Sequence, residues 1–288
     1  MSTFRAFVGG VQVTAVSDGD LFMEKSFYPA ISEAQWGEYS DQVRADGRLL
    51  MNLGSFVLHS RGQNILVDTG LGATPGHFMA DCGRLPREMR DRGVPPEDID
   101  TVLLTHLHGD HVGWNIVGEG ENRTLGFRKA RYLAPKVDWE DSLAMSGSTL
   151  ELAEDEAVRQ RRVSAFVKQV QPLQAFGRLD LYEGEHVVTP EITTIPAPGH
   201  TPGHMCVRIS SQGETAIIMG DAVHLPHEVH EMDWVCRGDR DAAATIATRE
   251  KLLNDAESIG ALVLAGHFPA PGVGRLERVA GRRYWHAL

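Results

Sequence analysis

Thr105-His106-Leu107-His108-Gly109-Asp110-His111 places three imidazoles and one carboxylate within six residues, His106 to His111. The segment follows directly on Thr101-Val102-Leu103-Leu104, a short apolar run consistent with a buried strand. Imidazole nitrogen and carboxylate oxygen are the usual ligands of Zn²⁺ and similar first-row metals. Helical i, i+4 spacing does not account for such crowding. Alternate residues His106 and His108 can point one way, while Asp110 and His111 turn with the loop towards a neighbouring ion ~3.5–4 Å away, the usual separation in two-metal sites. A single histidine is more often a surface or hydrogen-bonded core residue than a ligand; four ligand-type groups in six residues reverse that weighting.

The chain on either side reads as α/β. Residues 4–17 alternate apolar and polar around Gly9-Gly10, the pattern of two half-buried strands joined by a tight turn. A second pair is expected at 55–59 and 64–68, its second strand running into Thr69-Gly70-Leu71-Gly72, which leaves Asp68 at a strand end. Residues 84–93 are helix-compatible, and Pro95-Pro96 starts a short helical turn. A helical insertion is expected over about 136–170: Lys136 to Met145, then, after Ser146-Gly147-Ser148, a charged stretch carrying Leu150, Leu152, Val158, Val163, Phe166 and Val170. Strands return at 178–182, 186–195, 205–210 and 215–219, followed by a helix at about 240–258 and the run Ala261-Leu262-Val263-Leu264-Ala265. The second half thus broadly repeats the first. No solenoid period and no Pro/Gly/Ser-rich linker divides the halves, so residues 1–288 are expected to form a single domain.

Composition narrows the function classes. Of 288 residues, 42% are hydrophobic and 23% charged, as in an ordinary globular protein, and no apolar run approaches the roughly 18–20 residues of a membrane span. With a net charge of -11 and scattered basic residues, the electrostatic footprint of a nucleic-acid binder is missing. Cys82, Cys206 and Cys236 form no C-x-x-C pair, which points to inert thiols rather than disulfides or a zinc knuckle. The first residues lead straight into alternating apolar positions without a signal-peptide pattern, so a cytoplasmic location is expected.

The 106–111 segment resembles the H-x-H-x-D-H signature of the metallo-β-lactamase superfamily and matches it at every defined position. The resemblance implies a four-layer αββα sandwich carrying the 136–170 insertion, and three further ligands, each at a strand end. Pro198-Gly199-His200-Thr201-Pro202-Gly203-His204 resembles the second histidine motif, Met219-Gly220-Asp221 the bridging aspartate, and Ala265-Gly266-His267 the last ligand. Val67-Asp68-Thr69-Gly70 resembles the family's aspartate turn, so the match runs from about residue 10 to residue 280. Carried over, it implies that His106, His108 and His200 hold one metal, that Asp110, His111 and His267 hold the other, and that Asp221 bridges them. Two divalent ions per chain are implied, Zn²⁺ first, with Mn²⁺, Fe²⁺ or Co²⁺ as substitutes. A hydroxide between them is the implied nucleophile. Asp110 and Asp221 are the implied catalytic residues, Asp110 orienting that hydroxide or accepting its proton. Asp68 is expected to hydrogen-bond a ligand histidine or to brace the 106–111 loop.

The ligand set alone does not name a substrate. The ending Gly266-His267-Phe268-Pro269-Ala270-Pro271-Gly272-Val273-Gly274-Arg275-Leu276 looks most like the methyl parathion hydrolase and lactonase-like branch. That implies attack on a lactone or on an organophosphate or carboxylic ester. A glyoxalase II-like thioesterase and a mononuclear-iron persulfide dioxygenase are the alternatives. The implied partner is a small-molecule substrate, with no nucleic acid or membrane; a homodimer is compatible. Quorum-signal lactonases typically carry a tyrosine three residues beyond the bridging aspartate, where this chain has His224. His224 is therefore a candidate pocket residue, joined by Trp114 and Phe268, which adjoin ligands, and by Trp139. The insertion, with Trp139, Leu143, Met145 and Phe166, is expected to give an apolar pocket wall, as are Phe27 and Tyr28. His59, His77, His186 and His286 are read as surface or structural, His204 as structural, and His224, His227 and His230 as a periodic set.

Overall fold

Val11, Val13 and Ala15 bury alternate positions on the strand Val11–Glu24, and Phe56 and Leu58 do the same on Arg48–Ser60, giving one sheet an apolar inner face. The computed structural model describes residues 4–73, 80–147 and 156–288. Among them this first sheet runs in the order Arg5–Val8, Val11–Glu24, Arg48–Ser60, Gln63–Val67, Thr101–Leu103, Arg131–Pro135, Leu179–Tyr182, with Ala80–Asp81 pairing on Val11–Glu24. The second sheet runs Val187–Thr189, Ile192–Pro196, Met205–Ser211, Glu214–Ile218, Leu262–Leu264, Val273–Val279, Arg282–Ala287.

Three cores separate four layers. Between the sheets, Phe56, Leu58 and Leu103 meet Val207, Ile209, Ile218 and Leu264. Outside the first sheet, Leu85 and Met89 of the helix Leu85–Asp91 and Phe166, Val170 and Leu173 of the insertion cover Leu66, Val102 and Tyr132. Outside the second, Leu252, Leu253 and Ala256 of the helix Ala242–Ser258 cover Ile217 and Val263. This is the expected αββα sandwich. Thr101–Leu103 is parallel to both neighbours, and Glu214–Ile218 is parallel to Leu262–Leu264. Covered on both faces, such strands read as continuous apolar runs.

The insertion comprises Lys136–Gly147, Glu156–Ala165, a π-helical turn Phe166–Val170 and Gln171–Ala175. It continues past the expected end at 170, and Leu150 and Leu152 lie outside the described residues. The first long strand also exceeds the reading, continuing through Asp18-Gly19-Asp20 to Glu24 with a register shift between Ser17 and Asp20. There the pattern is broken by a buried carboxylate: Asp18 accepts hydrogen bonds from Leu71, Gly72 and Leu85 N at 2.9 Å and from Trp114 Nε1 at 2.8 Å. No helix among the described residues is long and apolar enough to cross a membrane.

The sheets are joined along one edge by backbone hydrogen bonds: Asn52 N to His267 O at 3.1 Å, Gly54 N to Gly266 O at 3.0 Å, and Met205 N to Thr105 O at 2.9 Å. A Cβ at Gly54 would stand 2.6 Å from Gly266 O, so the approach requires glycine. The histidine-bearing loops of both sheets emerge at this edge.

Candidate metal centre

Each candidate ligand is placed by the end of a strand. Beyond Thr101–Leu103, Leu107 plugs into the outer core and leaves His106 and His108 free to turn the other way. His111 sits on the short helix Gly109–Val112, with Asp110 beside it, partly exposed. Asp68, at the end of Gln63–Val67 with φ +60°, braces this loop. Its Oδ1 accepts from Thr105 N at 2.8 Å; its Oδ2 accepts from Thr105 Oγ1 at 2.8 Å and pairs with His111 Nδ1 at 2.9 Å. In the second sheet, Asp221 follows Glu214–Ile218, His267 follows Leu262–Leu264, and His200 lies between Ile192–Pro196 and Met205–Ser211.

These side chains converge from both sheets. Donor atoms of His106, His108, His200 and Asp221 lie within 4.8 Å of one another, as do those of Asp110, His111 and His267. Asp221 stands between the groups. Its Oδ2 faces His200 Nε2 at 3.2 Å and His106 Nε2 at 3.7 Å, while its Oδ1 faces His111 Nε2 at 3.2 Å and His267 Nε2 at 3.3 Å. Asp110 Oδ2 approaches His267 Nε2 at 3.6 Å and His111 Nε2 at 3.8 Å.

The far nitrogens are already engaged. His111 Nδ1 pairs with Asp68, His200 Nδ1 with Asp239 Oδ1 at 2.9 Å, His267 Nδ1 with Asn52 O at 2.9 Å, and His106 Nδ1 with Thr105 Oγ1 at 3.0 Å. That leaves Nε2 of each ring directed inward. His106 Nε2, His111 Nε2 and Asp221 Oδ1 are buried with no hydrogen-bond partner, although such groups are normally satisfied. Burial holds His106 and His108 well below the ordinary imidazole range, so both offer a lone pair. Burial opposes protonation of His111 and His200 as well, but the neighbouring carboxylates together outweigh it, Asp221 with Asp110 and Asp68 around His111, and Asp221 with Asp239 around His200, which is carried up to about 10. Cations between the two groups would replace those protons, and the N/O donor set suits Zn²⁺ or a related divalent ion.

Removing Asp68 tests this bracing. Asp68→Ala is expected to weaken metal affinity by about 10–100-fold, as loss of a carboxylate behind a ligand histidine commonly does. Chelator competition reads the change, and unaltered affinity would show that His111 is held without it.

Several contributors carry no mark in the sequence. His204 Nε2 accepts from Asp221 N at 2.9 Å while its Nδ1 donates to Ala197 O at 3.0 Å; a Cβ at Gly220, φ +51°, would stand 2.5 Å from that ring. Burial keeps His204 neutral, with its pKa lowered to about 3. Asp239, behind His200, also accepts from Cys236 N at 2.9 Å, and Cys236 Sγ lies 3.9 Å from His224 Nε2.

The family model described as the metallo-beta-lactamase superfamily matches residues 55–267. The chain belongs to that superfamily. The N-acyl homoserine lactonase AttM of Azorhizobium caulinodans is 27% identical over 186 residues, 63% of each chain. The anti-Pycsar protein Apyc1 of Bacillus phage BSP38 is 37% identical over 73 residues, 23% of this chain and 28% of its own. The chain thus spans less than two-thirds of the length of either curated relative. Among solved structures, the hydrolase AbOPH of the beta lactamase superfamily matches at 25% identity with a TM-score of 0.88, covering 99% of this chain and 97% of its own. AidC, a dizinc quorum-quenching lactonase in complex with a product, matches in fold with a TM-score of 0.84 at 24% identity and the same coverage.

Over the metallo-β-lactamase donor set opens a cavity of about 810 Å³ that reaches His108, Asp110, His200, Asp221, His224 and His267. Of His224, Trp114, Phe268 and Trp139, His224 lines it. Its Nε2 is 3.4 Å from Asp221 Oδ2, and its backbone N donates to Glu228 Oε2. Trp114, Phe268 and Trp139 are elsewhere. Trp114 donates to Asp18 and packs on the outer core; Phe268 is buried against Trp285, ring centroids 5.0 Å apart; Trp139 meets Phe166 at 5.0 Å. Adjacency to a ligand does not set side-chain direction, since successive residues at a strand end point opposite ways. Among the described residues, Trp139, Leu143, Met145 and Phe166 do not line the cavity: Trp139 and Phe166 pack into the outer core, and the insertion turns Gln160, Ser164, Ala165, Lys168 and Gln169 towards the cavity. Phe27 lines the cavity, whereas Tyr28 is buried with Trp36 and Trp234.

The remaining histidines separate. His227 is ringed by Trp36, Tyr39 and Trp234, and His230 Nε2 pairs with Tyr39 Oη at 3.0 Å. His59 pairs with Asn64, His186 stacks on Tyr182 and His286 pairs with Glu277. His77 lies outside the described residues.

Proposed function

We propose that this chain is a two-metal hydrolase of ester-like bonds, with lactones and organophosphate or carboxylic esters as its substrate class. The observation that carries the reading is Asp221, whose two oxygens face different donor groups, as a bridging carboxylate requires. In this reading His106, His108 and His200 would hold one divalent ion, Asp110, His111 and His267 the other, and Asp221 both. When bound, such ions polarise the oxygen under attack and lower the pKa of coordinated water towards about 7.

The chain's own groups then have distinct tasks. Asp68, Asp239 and the Asn52 carbonyl hold three rings in the tautomer that presents Nε2. Asp110, partly exposed and lining the cavity, is placed to accept the proton of the attacking water. His224, three residues beyond Asp221, aims Nε2 at the same space and can donate to a substrate oxygen. The names borne by AttM and AbOPH support the hydrolytic reading, and the 288 residues are taken as one catalytic unit acting on a small molecule.

The test is a hydrolysis panel of lactones, phosphotriesters, thioesters and β-lactams with the metal-loaded protein. Turnover is expected to be fastest on a lactone or phosphotriester. A thioester in first place would shift the assignment to the glyoxalase II-like class, and no hydrolysis by protein holding two ions would overturn it.

A further inference from the structure

We infer that the substrate carries an anionic group remote from the bond that is cleaved, and that Arg161, Lys168 and Arg237 receive it. This rests on the hydrolase reading. The chain has a net charge of -11, yet among the described residues the only carboxylates lining the cavity are Asp110 and Asp221, both already in the donor set. Arg161, Arg162, Lys168 and Arg237 line it as well.

Elsewhere on the surface arginines are matched with acids, as in Arg87–Asp91, Arg90–Glu97 and Arg278–Glu257. Arg161 and Lys168 are exposed, and no ion pair among the described residues engages either. Arg237 donates Nε to Ser26 O at 2.9 Å, a carbonyl that leaves its charge uncompensated. The buried Arg162 donates Nη2 to Gly238 O at 2.7 Å, tying the insertion helix to the loop that carries Arg237. The two cation-bearing segments are thereby held in one arc. Leu21, Met23, Phe27, Met51 and Leu71 supply the apolar part of the same cavity.

A substrate suited to this lining has an ester-like bond at the donor set, an apolar body, and a carboxylate, sulfonate or phosphate at its far end. One exposed ion pair is weak, but several cations converging in a cavity raise the local concentration of an anionic ligand. An uncharged acyl lactone would leave the arc without a partner.

The test compares two 4-nitrophenyl esters with acyl chains of equal length, one ending in methyl and the other in a sulfonate, a weak metal ligand. With the metal-loaded protein at low salt, kcat/KM is expected to favour the sulfonate by about tenfold, and the preference to shrink as salt rises. In Arg161→Gln/Lys168→Gln the ratio should approach one. In Arg87→Gln/Arg90→Gln, which makes the same net-charge change on a distant helix, it should stay at its original value. A wild-type ratio of one or less, or equal loss in both double variants, overturns the inference. If neither ester is hydrolysed, the hydrolysis panel decides the hydrolase reading, and calorimetric titration with the two corresponding amides decides the arc separately: tighter binding of the sulfonate that is lost in Arg161→Gln/Lys168→Gln supports it, and equal binding refutes it.

Discussion

In Asp221→Ala, bound metal is expected to fall from about two ions per chain to one or none, and kcat/KM for an activated ester to drop by at least about a thousandfold, equivalent to about 4 kcal/mol of transition-state stabilisation. The size of the effect follows from position. Asp221 contributes an oxygen towards each group, at 3.2 Å from His200 Nε2 and 3.2 Å from His111 Nε2. It is also the buried negative charge that four histidines share, and His111, His267 and His106 hold its carboxyl well below the usual range despite burial. In the two-metal proposal its removal would take a ligand from both ions and would leave two divalent cations facing each other with less compensation. Elemental analysis beside an ester assay reads both quantities. Retention of two ions and full activity would refute its bridging role.

The second large effect concerns stability. Arg249 and Glu228 form a fully buried pair, Nη2 to Oε1 at 3.1 Å, and both are committed to further partners. Arg249 donates Nε to Ala222 O at 2.8 Å and Nη1 to Met232 O at 3.1 Å, while Glu228 accepts from Tyr28 Oη at 3.1 Å and from the backbone N of His224 and Leu225. The pair therefore clamps the turn beyond Asp221 that carries His224. Arg249→Met is expected to lower the free energy of unfolding by about 3–5 kcal/mol, because it strands a buried carboxylate. Glu228→Leu/Arg249→Met removes both charges and should recover part of that loss, but not all, since two backbone N–H groups then lose their acceptor. Denaturant unfolding of the three proteins measures this. A loss below about 1 kcal/mol in Arg249→Met would mean that the turn is held by other contacts.

Both networks bear on what could be read from the chain alone. His106, His108, Asp110 and His111 announce themselves by crowding, and the strands preceding them, covered on both faces, show as plain apolar runs. His200, Asp221 and His267 stand out only once the family order is supplied. Other elements are harder to read: Asp18 interrupts the alternation of the first long strand, and the strand Arg131–Pro135 is a five-residue element that ends where a helix begins. Asp239, His204 and the Glu228–Arg249 pair act across the fold, so sequence spacing carries no trace of them. Trp114, Trp139 and Phe268 show the converse limit. Their chemistry suits a pocket, but packing directs each into a core.

The most direct test of the two-metal account is anomalous diffraction at the metal absorption edge from crystals of the metal-loaded protein. Two peaks ~3.5–4 Å apart are predicted, one among His106, His108 and His200 and the other among Asp110, His111 and His267, with Asp221 between them. A single peak, or a second peak away from these residues, in crystals of fully active protein would contradict it.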